Sequence, residues 1–353
     1  MSTGDQPGEI PQTLPLTQLR VVELQAIGPV PFCGMQLKQM GATVRRVLPP
    51  NGTPIGLQIG NKYDLLNRDK PVSHLDLKTP EGTEELHQRL AESDVLIEGF
   101  RPGVLERLNL APTELLCRHP KLVIGRLSGY GRHGPYALQA GHDINYLALS
   151  GVLSAIGTPE RPVIPLNLIA DFGGGAMHLL AGILAKLVQR GLTGRGGLVD
   201  TSILAGTFGL TPMLHGLMAS NRWNQVREGN LLDGGLPFYR VYATRDRKFV
   251  AVGALENRFF VQLLTLLGLE STIDVARQHD AATWEAMSQA FKAAFASRDR
   301  DDWAAAALDS DCCVTPLLDF QEACALQAHR DNGWIAESPF PHPSVVIDFD
   351  KHT

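Results

Sequence analysis

The chain has 353 residues, of which 44% are hydrophobic and 20% charged, and its formal net charge at pH 7 is −5. These values are ordinary for a globular protein. They argue against nucleic acid as a partner, because the Lys and Arg residues are scattered apart from the pair Arg45-Arg46. The length exceeds what one hydrophobic core usually organises, so we expect two domains, or one large domain with an appendage.

The sequence carries no pattern that directs it out of the cytoplasm. Its five cysteines form an odd set without C-x-x-C spacing, which is typical of reduced thiols in a cytoplasmic protein. The first 15 residues resemble neither a signal peptide nor a transit peptide, and residues 350–353 are not a peroxisomal address. Asp171, His178 and Lys186 interrupt the longest apolar tract, residues 166–188, so we expect no membrane span.

In the first part of the chain, short apolar strand patterns alternate with helical patterns. The periodicity predicts strands at 19–24, 42–47, 94–97 and 121–126, and helices at 32–40, 80–92 and 112–118. Strand–helix–strand units of this spacing predict a parallel sheet covered by helices, with right-handed crossovers. In such a sheet, ligands bind beyond the carboxyl ends of the strands.

The pattern changes after Gly141. We predict helices at 144–153, 172–190 and 199–213, then a strand at 250–253, helices near 258–267, 284–296 and 301–308, and a last apolar run at 314–318. The stretch 220–239 is rich in Gly, Asn and charged residues, as expected of a linker. We therefore predict a large α/β domain over residues 1–219, a linker and smaller α+β domain over 220–330, and a final segment, 331–353, that returns to the large domain.

Several common enzyme motifs are missing. The chain has no G-x-G-x-x-G after the first strand, no G-x-x-x-x-G-K-[ST], no H-E-x-x-H and no G-x-S-x-G. The predicted sheet therefore lacks the sequence marks of a dinucleotide enzyme, a nucleotide triphosphatase, a zinc protease or a serine hydrolase. The triple glycine 173–175 follows an acidic residue and opens a helical pattern, which favours close helix packing over a phosphate loop.

Three polar positions are candidates for chemistry. Asp143 stands at a predicted helix start, where its carboxylate would cap the helix and leave His142 near the positive helix end, although a single His is more often structural. Asp171 follows an apolar run and precedes the triple glycine, so a capping role and a functional role are equally open. Glu256 lies at a strand-to-helix turn and, taken alone, is a helix-start carboxylate.

Together these positions supply an imidazole and two carboxylates without metal-ligand spacing. Such a set can transfer protons. A racemisation, for example, needs one base that removes a proton and a conjugate acid that returns it on the opposite face. The enolate formed in between needs preorganised hydrogen-bond donors. Composition and spacing therefore indicate proton transfer but do not identify a substrate.

Motifs spread over residues 19–318 resemble the family III CoA-transferase superfamily and, within it, the α-methylacyl-CoA racemase branch. The stretches 140–146 and 232–235 are typical of that branch. The matching segments are 20–24 (RVVEL), 75–78 (LDLK), 94–104 (DVLIEGFRPGV), 140–146 (AGHDINY), 165–168 (PLNL), 170–175 (ADFGGG), 232–235 (LDGG) and 311–316 (DCCVTP).

The resemblance implies a fold and an activity. The implied fold is a Rossmann-like large domain with a parallel sheet plus a smaller α+β domain. The implied assembly is an interlocked homodimer with active sites between large and small domains. The implied reaction interconverts the 2R and 2S epimers of 2-methylacyl-CoA thioesters through an enolate. No separate cofactor is expected, because coenzyme A is part of the substrate.

The resemblance also assigns roles to individual residues. It makes His142 the base for one face of the α-carbon and Asp171 the base for the other. Glu256, from the small domain of the second subunit, is expected to pair with His142, and Asp143 to help hold the thioester and its enolate oxygen. The expected substrate and coenzyme A contacts are Leu75, Asp76, Leu77, Lys78, Gly99, Phe100, Arg101, Arg107, Gly141, Ile144, Asn145, Tyr146 and Asn167, with the arginines pairing with phosphates.

At two positions the chain departs from the racemase pattern. The basic residue usual after the second strand is absent from the tetrapeptide 47–50 (VLPP), and Pro71 replaces the one usual after Lys70. Both changes remove possible phosphate partners. The candidates to replace them are Arg45, Arg46, Arg68 and Lys70.

Two other functions stay open at this point. In a family III CoA-transferase, the residue matching Asp171 is a nucleophile that forms an acyl anhydride and then an aspartyl-CoA thioester. Such transferases generally lack the histidine found at His142, which favours the racemase. A CoA-ester-binding protein with degraded activity is the third reading, based only on Pro49 and Pro71. The sequence does not indicate which acyl group is bound.

Overall fold

The computed structural model describes residues 14–52, 55–57, 59–344, 347 and 349. The chain forms two compact units. The first unit comprises Met1–Ser150, Pro165–Thr211 and Ala336–Thr353, and the second comprises Gly151–Ile164 and Pro212–Ile335. The segment between Ser150 and Pro165 therefore belongs to the second unit, although most of that unit is formed by residues after Thr211.

Strands and α-helices are each numbered in chain order. The strands are β1 (Arg20–Leu24), β2 (Thr43–Leu48), β3 (Val72–His74), β4 (Val95–Glu98), β5 (Val123–Ser128), β6 (Gly197–Ser202), β7 (Tyr239–Ala243), β8 (Phe249–Gly253), β9 (Val314–Pro316), β10 (Ile335–Ala336) and β11 (His342–Pro343). The α-helices are α1 (Pro29–Gln39), α2 (Pro80–Ala91), α3 (Val104–Arg107), α4 (Pro112–Arg118), α5 (Asp143–Leu149), α6 (Val152–Ala155), α7 (Met177–Thr193), α8 (Ile203–Gly209), α9 (Pro212–Ala219), α10 (Asn257–Leu267), α11 (Trp284–Phe295), α12 (Arg300–Ala307), α13 (Phe320–Ala325) and α14 (Gln327–Asp331). A π-helix, Leu168–Ala176, precedes α7, and 3₁₀ turns span Val275–Arg277 and Ala281–Thr283.

A parallel sheet of six strands organises the first unit. Its strand order is β3-β2-β1-β4-β5-β6, which confirms the predicted Rossmann-like α/β fold. The order reverses between β1 and β4, and in open α/β sheets this switch point opens a crevice at the carboxyl ends of the strands. The segments that follow β1 and β4 therefore border the expected ligand site.

The central strands of this sheet are buried on both faces. Every residue of β4 and β5 is buried, because helices cover both sides of a parallel sheet. A Cβ atom on Gly125 would lie 2.7 Å from the Ile183 side chain, so α7 packs closely on β5. Leu96 in β4 and Leu86 and Leu90 in α2 belong to one apolar cluster on this sheet.

The second unit has its own core. Strands β7, β8 and β9 form an antiparallel sheet, as expected of a smaller α+β domain. Aromatic side chains fill its centre, and the Trp303 indole donates a hydrogen bond to the Phe295 carbonyl at 2.9 Å. Phe238, Phe260 and Phe291 are also fully buried there.

The structure differs from the predicted elements at several places, including the following. Residues 199–202 lie in the strand β6 and not in a helix, because Val199 and Thr201 add an edge strand to β5 before the helical pattern begins. The short strands β3 and β7 were not predicted. The helix predicted at 144–153 is divided by Gly151, whose φ of 82° lies in the left-handed region.

By length and composition alone, one helical stretch of the described residues, Leu168–Thr193, would fit a membrane span, with a mean hydropathy of 1.5. Core helices of globular proteins often share this property. Its α7 part packs against α1, β5 and β6 of the first unit. These contacts are those of a core helix.

Replacing Leu96 by Ala is expected to lower the free energy of unfolding by about 2–5 kcal/mol, because a fully buried side chain at the centre of β4 leaves a cavity. Urea unfolding followed by far-ultraviolet circular dichroism measures the change. The matched control is Leu192→Ala, where the side chain is 85% exposed. A Leu96→Ala loss as small as that of the control would contradict this packing.

Candidate active site

One hydrogen bond joins the two segments that carry the candidate acid–base residues. The buried Asp143 side chain accepts a hydrogen bond on Oδ1 from the backbone N–H of Asp171 at 2.7 Å. His142 immediately precedes Asp143 and occupies the N-cap position of α5. The prediction that Asp143 caps this helix is wrong, because its carboxylate reaches across to the π-helix. The contact places the His142 and Asp171 segments side by side.

The start of α5 is held by its own polar groups. The backbone N–H of His142 donates to the Asn145 side-chain oxygen at 3.0 Å, and the Tyr146 hydroxyl donates to the Gly141 carbonyl at 2.8 Å. Burial raises the pKa of Tyr146 to about 12, so this hydroxyl keeps its proton at neutral pH. The backbone on both sides of the exposed His142 is therefore fixed.

Asp171 lies on the π-helix Leu168–Ala176. π-Helices are rare in proteins, and those that do form are frequently found at functional sites. The triple glycine explains how it packs, because a Cβ atom on Gly174 would lie 2.8 Å from the Thr207 backbone nitrogen, and one on Gly206 would overlap the Gly174 carbonyl. The predicted use of these glycines in close helix packing is confirmed.

The environment of Asp171 favours its protonated form. Burial, followed by the charge of Asp143, raises the pKa of Asp171 to about 6. The nearby His142 and a hydrogen bond from the Asn167 side chain act in the opposite direction. Asp143, His142 and Asn167 therefore all act on the protonation of Asp171.

The first turn of α1 forms a wall beside Asp171. Gly28 has a φ of 64°, and a Cβ atom on it would lie 3.4 Å from Asp171 Oδ2. The ring of Phe32 stacks on Phe172 with 4.5 Å between centroids. Pro29 and Pro31 lack the N–H groups that a helix N-terminus usually presents to an anion. Fewer donors near the carboxylate are consistent with its raised pKa.

The turn after β4 borders the same switch point. The buried Glu98 accepts hydrogen bonds from the Phe100 N–H at 2.6 Å and from Arg126 at 2.5 Å, which fixes residues 99–101. Arg101 is exposed, and its charge acts on Tyr146. An exposed cation thus lies near the candidate acid–base residues.

Comparison with known proteins gives the family. The chain matches CoA-transferase family III over residues 16–352. The chain belongs to CoA-transferase family III. It is 44% identical to the alpha-methylacyl-CoA racemase of Mus musculus over 337 residues, which cover 94% of this chain and 86% of that protein. It is 41% identical to the human alpha-methylacyl-CoA racemase over 321 residues, 90% of this chain and 81% of the relative.

More distant members of family III include transferases. A succinyl-CoA–D-citramalate CoA-transferase of Chloroflexus aurantiacus is 32% identical over 262 residues, which cover 72% of this chain and 65% of that protein. Among solved structures, a CAIB/BAIF family protein from Brucella suis superposes with a TM-score of 0.78 at 25% identity, covering 96% of this chain and 94% of that one. The family and fold predicted from the motifs are confirmed.

The residues that are expected to contact coenzyme A differ in their exposure to solvent. Leu75 is buried in the sheet core, so only its backbone is available, whereas Asp76 and Lys78 are exposed after β3. Arg107, at the end of the short helix α3, is also exposed. These positions follow the carboxyl ends of β3 and β4, and the carboxyl ends of all strands lie on the same side of this parallel sheet. Their role in binding stays a prediction.

Two of the replacement cations for the missing basic residues are engaged elsewhere. Lys70 is buried in an ion pair with Glu23 at 2.7 Å, so its prediction as a phosphate partner is wrong. Arg68 donates to the His342 ring at 2.9 Å. Arg45 and Arg46 are half-buried along β2, where Arg45 donates to Ser73 Oγ at 3.4 Å and Arg46 Nε lies 3.7 Å from Glu23 Oε1.

Glu256 belongs to the second unit and is exposed. It occupies the N-cap position of α10, where its backbone carbonyl accepts hydrogen bonds from the N–H groups of Phe259 and Phe260. This placement agrees with a helix-start carboxylate. Its pairing with His142 across two subunits stays a prediction.

Tyr130 is a site residue that the sequence did not reveal. Its ring packs edge-on against Tyr146 with centroids 4.9 Å apart, and its hydroxyl lies 3.5 Å from the Ala140 carbonyl. A Cβ atom on Gly141 would overlap this hydroxyl. Tyr130 thereby supports the backbone before His142. A tyrosine between two glycines gives no periodic signal that could have identified it.

Replacing Asp171 by Asn is expected to raise the free energy of unfolding at pH 7 by about 1–2 kcal/mol. The pKa of Asp171 is raised to about 6 in the folded protein, against about 4 in an unfolded chain. The folded state therefore binds this proton more tightly, and ionisation of the carboxylate destabilises it at higher pH. Urea unfolding should show the gain at pH 7 and its loss near pH 4. Equal stability of both proteins at pH 7 would contradict the raised pKa.

Proposed function

We propose that this protein is an α-methylacyl-CoA racemase, which interconverts the 2R and 2S epimers of 2-methylacyl-CoA thioesters. The observation that carries the proposal is the pair formed by His142 and Asp171, held together by the hydrogen bond from the Asp171 N–H to Asp143. The identity of 44% to a racemase over most of the chain supports it.

In the proposed reaction the pair carries out two proton transfers at the α-carbon. His142 removes the α-proton from one face as the C–H bond breaks, and protonated Asp171 delivers a proton to the opposite face as the new C–H bond forms. The reverse direction exchanges the two roles. A pKa of about 6 for Asp171 lies close to that of an ordinary imidazole, about 6.5. Asp171 can therefore change its protonation state near neutral pH.

Asp143 is proposed to help stabilise the enolate oxygen formed between these steps. Its Oδ1 is engaged by the Asp171 N–H, whereas its buried Oδ2 has no hydrogen-bond partner within the described part of the chain. The Asp143 carboxylate is proposed to act through this bond, which keeps residues 141–146 beside Asp171, where backbone N–H groups can donate to an oxyanion. The backbone of residues 141–146 is proposed to hold the thioester.

Coenzyme A is proposed to lie along residues 75–78 and 99–101 and Arg107. Arg101 and Arg107 are exposed and can pair with its phosphates. The proposed proton transfer requires no resident cofactor, because the coenzyme enters and leaves as part of the substrate.

An interlocked homodimer is proposed as the active form. Large apolar side chains of the first unit remain exposed on the π-helix and around α8, namely Leu166, Leu168, Phe208 and Leu210, each 45–57% exposed. Large exposed apolar patches are rare on monomers and mark sites of protein or ligand contact, so these side chains support the proposed interface. The five free cysteines support the proposed cytoplasmic location, and the substrate class places the reaction in lipid metabolism.

Incubation with a single epimer of a 2-methylacyl-CoA in deuterated water, without an acyl acceptor, tests the racemase against its alternatives. Deuterium uptake at the α-carbon together with epimerisation is expected. Exchange of coenzyme A only when acids are supplied, with an aspartyl thioester that hydroxylamine traps at Asp171, would identify a transferase instead. Binding of the ester with neither reaction would leave a binding protein.

Replacing His142 or Asp171 by Ala is expected to lower epimerisation by about 10²–10⁴-fold, because each supplies one of the two proton transfers. The exposed His133 provides a matched control, and His133→Ala should retain full activity. Circular dichroism establishes that each variant is folded. A fully active His142→Ala protein would contradict the mechanism.

Co-expression of His142→Ala and Glu256→Gln chains tests whether Glu256 serves the other subunit. If it does, a mixed dimer contains one site with both native residues, and activity should return although each variant alone is inactive. If His142 and Glu256 act within one subunit, every site lacks one of them and the mixture stays inactive. Size-exclusion chromatography with light scattering measures the dimer itself.

A further inference from the structure

A buried ion pair underlies the first turn of α1. Lys70 Nζ lies 2.7 Å from Glu23 Oε2 on β1, and both side chains are 1% exposed. The same ammonium group donates a second hydrogen bond to the Pro31 carbonyl at 2.9 Å. Lys70, from the loop before β3, therefore connects the central strand β1 to the beginning of α1.

This pair is a costly arrangement that stability alone does not explain. Removing two charges from water is unfavourable, and a buried ion pair often contributes nothing net to folding. Burial raises the pKa of Glu23 and lowers that of Lys70, so each charge depends on the other. A Cβ atom on Gly34 would overlap the Glu23 carboxylate, so α1 approaches β1 closely at this point.

The turn that Lys70 holds is the wall beside Asp171. Gly28 lies so close to Asp171 that a Cβ atom on it would be 3.4 Å from Asp171 Oδ2, and the Phe32 ring stacks on Phe172. No side chain caps the N-terminus of α1, whose N-cap residue is Gly28. The hydrogen bond from the Lys70 side chain to the Pro31 carbonyl therefore restrains the first turn of α1 from the side of β1.

We propose that Lys70 is a positioning residue for Asp171: its ammonium, neutralised by Glu23, fixes the first turn of α1 through the Pro31 carbonyl, and this turn fixes the Asp171 carboxylate. The proposal rests on the racemase function proposed above. The proposal predicts that loss of Lys70 impairs proton transfer only on the face of the α-carbon that Asp171 serves. The His142 segment has no contact with this ion pair among the described residues.

The test is Lys70→Met, with deuterium exchange measured separately for the two epimers in deuterated water. Epimerisation should fall by about 10–100-fold, the loss expected from a displacement near 1 Å. The epimer whose proton faces His142 should still exchange deuterium with retention at close to the wild-type rate. The opposite epimer, which depends on Asp171, should lose exchange.

Further variants separate positioning from folding. Glu23→Gln/Lys70→Met removes the charges of Glu23 and Lys70, so it avoids an unpaired carboxylate yet still lacks the bond to Pro31, and it should show the same one-sided loss. The variant also takes away the carboxylate that lies 3.7 Å from Arg46 Nε, so circular dichroism establishes that it is folded. Lys70→Arg should recover part of the epimerisation. The control is Lys38→Met, which removes a lysine from the last turn of α1, where it bonds the Arg68 carbonyl, and should leave both rates unchanged.

Three results would overturn the proposal. Unchanged epimerisation in the Glu23→Gln/Lys70→Met protein would show that the restraint is unnecessary. A raised KM for the acyl-CoA with unchanged kcat would show that the restraint acts on substrate binding and not on Asp171. Equal loss of exchange from both epimers would make its role purely structural. Absence of exchange in the wild-type protein would instead overturn the racemase function itself.

Discussion

The hydrogen bond from the Asp171 N–H to the Asp143 carboxylate is the constraint on which the candidate site depends. It joins the start of α5 to a π-helix that lies 28 residues further along the chain. His142 and Asp171 are each ordinary in isolation, the first at a helix N-cap and the second inside a helix. Burial raises the pKa of Asp171 most, and the meeting of the two segments adds the charge of Asp143, which raises this pKa further, and that of His142, which lowers it. A structural contact therefore also sets the acid–base properties of the site.

The sheet topology explains why the site lies where it does. The strand order reverses between β1 and β4, so the segments leaving these strands diverge and open a crevice. The turn from β1 into α1 supplies a wall with few N–H donors, and the turn after β4 supplies Arg101. Asp171 thus lies in partly desolvated surroundings that destabilise its charge. The proposed proton transfer requires such a carboxylate, because a general acid or base works best with a pKa near the working pH.

Much of the fold could be predicted from the sequence, because the central strands are continuous apolar runs bounded by turn residues. Motifs located His142, Asp143 and Asp171, and the structure brings these three together. Other features depend on tertiary contacts and leave no local signal. The π-helix reflects the close approach of Gly174 and Gly206, and β6 reflects pairing with β5. Lys70 looks like any surface lysine in the sequence, yet Glu23, 47 residues away, makes its burial possible.

The titration of the Asp171 carboxyl carbon by nuclear magnetic resonance tests the central claim most directly. In the wild-type protein this carbon should titrate with a pKa of about 6. In an Asp143→Asn variant the pKa should fall, because the neighbouring negative charge that raises it is gone. A wild-type value near about 4, the range of an exposed aspartate, and unchanged in the variant, would contradict the account of an acid–base pair set by the Asp143 contact.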